Sequence, residues 1–481
     1  MILILLILLP IIGGIFVFRC HDEKKRNTLV VGLVSADALL ALAAALMPQQ
    51  QIKLLYINSS LSLILGTDGI SKLFLVLIAA VWVLVAFFAF PYIKHEGKDE
   101  RFFGFYTMTM GILMGLSTSA SLVTLYMFYE MMTIITVPLV IHNGTEEAAK
   151  AGLKYLGYSV FGAGLALLGF FFLAQYSSST EFIPGGTLLA SAGENRSLLL
   201  IAYLLMFIGF GAKAGLLPLQ SWLTTAHPVA PAPGSAVLSG IITKAGVLGI
   251  IRVTYYLFGV DFLKGSWVQT VLMILTLATV FVGSMLAYKE KILKKRLAYS
   301  TVSQVSYVLF GLTVMNPVAF AGALLQVLFH AAAKNTLFLS AGAIIYNTGC
   351  TRVDELKGIG KKMPVTMWCF ALASLSLIGI PPMAGFVSKW YLAAGALEGG
   401  YGALGIIGTA ILLVSALLTA GYLLPIVTEG FFPGSGFQTE KKEVGKLMTV
   451  PLILLSASAV LMGCFPNWIT GWIGSISSLL F

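Results

Sequence analysis

Cut at its charged and Pro/Gly-rich breaks, the chain falls into about fourteen apolar stretches long enough to span a membrane, at roughly 20 residues per crossing. They lie near 1-18, 29-47, 70-92, 103-119, 121-141, 153-176, 199-226, 230-257, 267-287, 299-314, 317-346, 364-396, 402-429 and 448-472. A backbone in hydrocarbon must satisfy its own hydrogen bonds, which long uninterrupted apolar runs achieve as helices. With 58% hydrophobic and only 10% charged residues, the chain does not have the composition of a soluble globular domain. The expected fold class is an all-α polytopic membrane protein. No linker or low-complexity segment divides it, so 1-481 is read as a single membrane domain.

The first stretch has no basic residues before its apolar run and no small-residue cleavage site after it. It is read as the first membrane helix rather than a secretory signal.

Formal net charge is +10, yet the basic residues are distributed for a membrane rather than for nucleic acid. Loops after odd-numbered stretches carry Arg19, Lys24, Lys25 and Arg26, then Lys94, Lys98 and Arg101, then Lys150 and Lys154. Later ones carry Lys289, Lys291, Lys294, Lys295 and Arg296, then Arg352, Lys357, Lys361 and Lys362, and finally Lys441, Lys442 and Lys446. The opposite loops hold Lys53, Arg196 and Lys264. The positive-inside rule therefore predicts a multi-pass protein of the cell inner or cytoplasmic membrane with both termini on the outer face.

Cys20, Cys350, Cys369 and Cys464 are scattered and form no CxxC pair, which argues against an iron–sulfur cluster, a zinc site or a disulfide framework. No metal site is expected. No Gly-rich nucleotide loop follows a strand, so no ATP or NAD site and no cofactor is expected in this chain. Its energy must come from an ion gradient or from a partner.

Ionisable residues inside the apolar stretches are the candidates for chemistry: Glu130, Lys213, Lys244, His330, Lys334 and Lys389. A charge near the bilayer centre costs about 2.5–3.5 kcal/mol on insertion scales, so such side chains belong in a protein interior or beside a watery path. Glu130 sits too deep in SLVTLYMFYEMMTIITVPLV to reach an interface easily. If it meets Lys213, the pair is a poised switch, since separation frees the lysine to release a proton; the plainer reading is a static ion pair. Lys244 lies mid-stretch in SGIITKAGVLGIIR. His330 and Lys334, four apart, share one helix face suited to proton relay.

Weaker candidates are Asp37, Asp68, Lys72 and His227. Asp37 is equally explained by a bond to a nearby Ser or backbone group. Asp68 and Lys72, one turn apart at a helix start, are accounted for by capping and pairing. His227, in the uncharged turn AHPVAPAPGS, is either a proton inlet or a structural turn residue. Arg252 is read as a helix-end anchor.

Two stretches are too long for a simple crossing and are broken by proline: GFGAKAGLLPLQSWL, with Lys213 ahead of Pro218, and LIGIPPMAGFVSKWYL, with Pro381 and Pro382 ahead of Lys389. Proline leaves carbonyls unpaired, and such breaks belong inside protein. Paired interrupted helices of opposite sense point to inverted repeats with a path at mid-membrane. The expected repeats are 103-257, stretches 4 to 8, and 267-429, stretches 9 to 13.

At these residues the chain resembles the antiporter-like membrane subunit family shared by respiratory complex I, Mrp-type cation/proton antiporters and energy-converting membrane-bound hydrogenases. The matching stretches are GAKAGLLPLQSWLTTAHPVAPAPGSAVLSGIITKAG, KKRLAYSTVSQVSYVLFG, HAAAKNTLFLSAG and GIPPMAGFVSKW, together with Glu130. The resemblance implies fourteen helices, two inverted five-helix repeats and a central polar axis joining two half-channels. On it, Glu130 and Lys213 are the partner pair, Lys244 the bridging lysine, His330 with Lys334 the relay, and Lys389 a position held by lysine or glutamate. The chain stops soon after its fourteenth stretch, so the long lateral helix of the largest complex I antiporter-like subunit is not expected.

The function expected is that of a proton-translocating subunit of a larger redox-driven or Mrp-type membrane complex, a translocase component of an oxidoreductase assembly with no redox centre of its own. Protons would come from the basic side, load the Lys244 and Lys334 region and leave through Lys389. The expected partners are other membrane subunits, protons or sodium, and the lipid bilayer, with no nucleic acid. The alternatives are a sodium/proton antiporter subunit, with Glu130 or Asp37 binding the cation, and a structural subunit whose polar residues merely pack helices.

Overall fold

Side-chain caps begin many of the helices. Asp22, Asp68, Ser121, Thr145, Ser266 and Asn316 each accept a hydrogen bond from the backbone N–H three residues on, satisfying a donor that the first helical turn leaves orphaned. The computed structural model describes residues 1–56, 62–434 and 440–481. Apart from four isolated short turns, its helices are α1 (Ile2–Phe18), α2 (Glu23–Leu46), α3 (Gly69–Glu96), α4 (Asp99–Ser117), α5 (Leu122–Val140), α6 (Glu146–Gln175), α7 (Arg196–Ala214) and α8 (Ser221–Val229). There follow α9 (Ala232–Phe258), α10 (Trp267–Lys289), α11 (Leu293–Val314), α12 (Pro317–Thr348), α13 (Pro364–Ile378) and α14 (Ala384–Glu398). The last are α15 (Ala403–Phe431), α16 (Lys446–Cys464) and α17 (Asn467–Ser477).

Among the described residues, eleven helices are long and apolar enough to cross a membrane, and α1 and α13 are shorter apolar helices. The chain is a predominantly helical, multi-pass membrane protein. Several helices begin about one turn or more before the expected boundary: α2 at Glu23, α6 at Glu146 and α11 at Leu293. The added turns are charged, with Lys24, Lys25 and Arg26 in α2 and Lys294, Lys295 and Arg296 in α11. Apolarity marks where lipid begins, not where the helix does.

The all-α expectation missed one element, an antiparallel hairpin of β1 (Gln51–Tyr56) and β2 (Ser62–Gly66). It is fastened at the end remote from the basic loops, where Ala120 N–H donates to Ile64 O at 2.9 Å and Ile64 N–H to Thr124 Oγ1 at 2.8 Å.

Both proline-broken stretches are interrupted as expected. Helix α7 stops at Gly215 (φ 88°) and α13 at Gly379 (φ 90°), left-handed positions that glycine takes without strain. Carbonyls freed at each break find side-chain donors: Trp222 Nε1 donates to Ala212 O at 2.9 Å, and Lys389 Nζ to Leu377 O and Ile378 O at 2.7 and 2.8 Å.

Helices α9, α11 and α12 are buried almost throughout, whereas α2, α6, α10, α15 and α16 present large apolar side chains such as Leu39, Leu153, Ile274, Leu417 and Leu461 outward. That arrangement puts lipid-compatible surface outside and the polar residues of α9, α11 and α12 in the centre.

Candidate functional site

Lys213, fully buried in the last turn of α7, donates to Thr133 Oγ1 of α5 and lies 4.4 Å from the Tyr129 ring centroid and 5.8 Å from that of Tyr155. The ammonium is thus held by a hydroxyl and two aromatic faces, a cation–π setting. Glu130, one helical residue from Tyr129, is within electrostatic reach of Lys213, but no ion pair within 4.0 Å joins them among the described residues. Its buried Oε1 has no hydrogen-bond partner. The expected pair is therefore neighbouring but open, because Thr133 and the rings hold the lysine.

Lys244 follows a π-helical turn, Leu238–Ile242, in α9. Such a turn disturbs the regular hydrogen-bond ladder and recurs at functional sites. Here the Ser239 carbonyl accepts Lys244 Nζ at 2.6 Å and Thr243 Oγ1 at 2.8 Å. The same Nζ lies 2.6 Å from His330 Nδ1 of α12. Close approach of α9 to α12 depends on Gly240, where a Cβ would collide with the Asn335 amide.

Lys334 does not bond His330, although they share a face; it donates to Leu297 O of α11 at 2.9 Å. That carbonyl also accepts Thr301 Oγ1, and Thr301 meets Ser239 Oγ at 2.7 Å. Polar contacts therefore run from Lys334 through α11 to Ser239, whose carbonyl accepts Lys244.

Lys389, besides capping α13, lies 5.0 Å from the Tyr307 ring centroid. Between it and His330 stand groups that sequence reasoning missed. Ser388 Oγ donates to Gln326 Oε1 at 2.6 Å, and Gln326 Nε2 donates to Gln304 Oε1 at 2.9 Å. Gln326, His330, Ser376, Leu377 and Gly385 pack around the α13–α14 break, leaving a gap too small for a water molecule. Gln326 is one helical turn before His330 and Ser388 adjoins Lys389, so a scan for neutral polar residues in the apolar stretches would have found them.

The secondary candidates are placed differently from expectation. Asp37 is completely buried in α2 with neither carboxylate oxygen partnered, so the expected Ser or backbone bond is not made. Asp68 caps α3 but does not pair with Lys72, which donates to Met47 O at 2.5 Å. Its partner is Arg252, the supposed anchor, through two bonds at 2.5 and 2.8 Å. Burial raises the Asp68 carboxyl, but the Arg252 charge and bonds, with the Ser71 amide and Tyr256, outweigh this and hold it below the usual carboxylate range. His227 lies in α8 rather than a turn; it is buried, stacked on Phe338 at 4.7 Å, and neither ring nitrogen has a partner.

Titratable and amide side chains thus form a series through the interior on α5, α7, α9, α11, α12 and α14. The family described as NADH:quinone oxidoreductase/Mrp antiporter, TM matches residues 119–419. The chain belongs to that family.

Among its relatives within the NADH:quinone oxidoreductase/Mrp antiporter family is an NADH-quinone oxidoreductase subunit of Desulforudis audaxviator. It is 33% identical over 405 residues, covering 80% of this chain and 79% of the relative. An Na(+)/H(+) antiporter subunit of Alkalihalophilus pseudofirmus is 30% identical over 471 residues, covering 96% and 93%. In structure the chain is similar to one in the Mrp complex from Dietzia sp. DQ12-45-1b, with a TM-score of 0.87 at 21% identity over 99% of this chain and 97% of that one. A chain of respiratory complex I from Thermus thermophilus has a TM-score of 0.83 at 22% identity over 100% of both. These neighbours are parts of membrane complexes. The chain is an antiporter-like membrane subunit of the type found in complex I, Mrp and related assemblies.

Proposed function

We propose that this subunit translocates protons along Glu130, Lys213, Lys244, His330, Lys334 and Lys389, within a redox-driven or Mrp-type complex that supplies the energy. The observation that carries the reading is the contact between Lys244 Nζ and His330 Nδ1 at 2.6 Å, made between two buried stretches of α9 and α12 with Lys334 within electrostatic reach. Two proton-binding groups in direct contact, remote from bulk water, have a use in transfer that neither has in packing.

On this reading α7 with α8, and α13 with α14, each form one broken crossing, giving fourteen. The repeats are 103-257 and 267-429, and the basic loops face the cytoplasm with both termini outside, as the distribution of Lys and Arg supports. Protons load Lys244 and Lys334 from the basic side and leave through Lys389, while the open Glu130–Lys213 pair times the step by closing and reopening. Moving one charge against about 100 mV needs about 2.3 kcal/mol, a shift of less than about two pKa units. Opening and closing one such pair is sufficient for that.

A second reading is exchange of sodium for protons, which the name of the Alkalihalophilus relative suggests and the unpartnered Asp37 carboxylate and Glu130 Oε1 favour. Proteoliposomes holding the intact complex separate the two. Proton movement that is independent of sodium supports the first reading, and proton movement that requires sodium on the opposite side rejects it.

A further inference from the structure

At the end of the molecule that carries the basic loops, a cavity of about 210 Å³ opens, lined by Tyr92, Glu96, Asn143, Ala230, Lys294 and Thr351 among others. That is room for several waters at about 30 Å³ each. Glu96, the last residue of α3, is exposed at its rim, within hydrogen-bonding reach of the Tyr92 phenol and electrostatic reach of Lys294.

Lys294, at the start of α11, is only 7% exposed. Its ammonium donates to the carbonyls of Pro228, at 3.2 Å, and Ala230. Both carbonyls are at the C-terminal end of α8, where Pro231 prevents the helix from continuing. One residue before Pro228 lies His227, fully buried, with two unpartnered ring nitrogens and Lys294, Lys334 and Lys244 all close enough to act on it. Leaving a buried polar group unsatisfied costs about 1–3 kcal/mol, and such groups in native structures call for an explanation. Here the orphaned imidazole stands between a solvent-open cavity and the buried lysines.

We propose that this cavity is the proton inlet of the subunit, with Glu96 as the collecting carboxylate and Lys294 as the gate that relays the proton to His227. The inference rests on the proton-translocating reading and adds two residues to it. Glu96 takes a proton from solvent and passes it to the Lys294 amine, becoming a carboxylate as the amine becomes an ammonium. The ammonium gives that proton to a ring nitrogen of His227 and returns to the amine. Lys334 and Lys244 receive it next. As an ammonium, Lys294 grips the two α8 carbonyls and closes the throat against return.

A purely structural Lys294, capping α8 with its charge, is the competing account. Initial proton-uptake rates of the intact complex in proteoliposomes, with the basic-loop side accessible, distinguish them. E96Q is expected to slow uptake about tenfold, and E96D or millimolar formate on that side only is expected to restore it. K294R keeps the cap and charge but does not release its proton, so it is expected to be equally slow and insensitive to formate, because its block lies beyond the collecting step. Assembly is checked by co-purification of the partner subunits. Wild-type uptake in assembled E96Q or K294R overturns the proposal, as does an E96Q defect that neither E96D nor formate corrects. A wild-type complex that moves no protons overturns the broader reading as well, and is distinguishable for that reason.

Discussion

The Lys244 amine and His330 Nδ1 lie 2.6 Å apart, while His330 Nε2 is buried without a partner. With the lysine donating, Nδ1 is the acceptor and Nε2 carries the ring proton. On the proposed route a proton accepted at Nδ1 is released from Nε2, and the His330 side chain packs with Gln326 against the α13–α14 break. The proposed route therefore passes through the imidazole on its way from Lys244 toward Lys389.

His330→Gln tests that role. The amide can accept from Lys244 but cannot take a proton on one atom and release one from another. The assembled complex is expected to lose about 100-fold in proton-translocation rate, the usual scale of a general acid–base group. A proteoliposome pH-indicator assay measures it.

Glu130 and Lys213 lie close enough to act as one unit without forming an ion pair. Glu130→Gln and Lys213→Met should each slow proton movement several-fold, and the double variant should be no slower than the slower single one. A double-mutant cycle on initial rates shows this as strong non-additivity.

Lys389 both caps α13 and belongs to the proposed path, and two substitutions separate these roles. Lys389→Met removes the donor to Leu377 O and Ile378 O, and is expected to cost about 1–3 kcal/mol of stability as well as pumping. Lys389→Arg is expected to keep thermal stability in detergent but not to pump, because guanidinium does not release its proton.

His142, in the connection after α5, is buried with Nε2 at 2.9 Å from Gly97 O. Burial pushes its imidazole from 6.5 down to about 4, with Arg101 and Lys98 adding to the fall. The folded protein therefore binds this proton less readily than the unfolded chain. Its stabilising contribution is complete above about pH 6.5 and is lost as pH falls toward about 4. Wild-type stability should drop by about 2–3 kcal/mol across that window, and His142→Gln should flatten the drop. Unfolding midpoints at stepped pH measure it.

Much of this was legible in the chain. Apolar length fixed the helices, prolines marked both breaks, and embedded charge singled out Lys213, Lys244, His330 and Lys389. Partners were harder to read. Asp68 meets Arg252, which lies far away in sequence, rather than Lys72 one turn on. Lys213 is held by Thr133 and Tyr129, neutral groups that a search for charges passes over. Gln304, Gln326 and Ser388 were missed for the same reason. The hairpin was missed because its strands are short and lie between two strong helix signals.

The central claim is that buried titratable groups carry protons across this subunit. Proton translocation by the intact complex, reconstituted as wild type and as Lys244→Met, tests it most directly. The variant complex is expected to retain its full complement of subunits and to lose nearly all proton movement. An assembled Lys244→Met complex that pumps at the wild-type rate would contradict it.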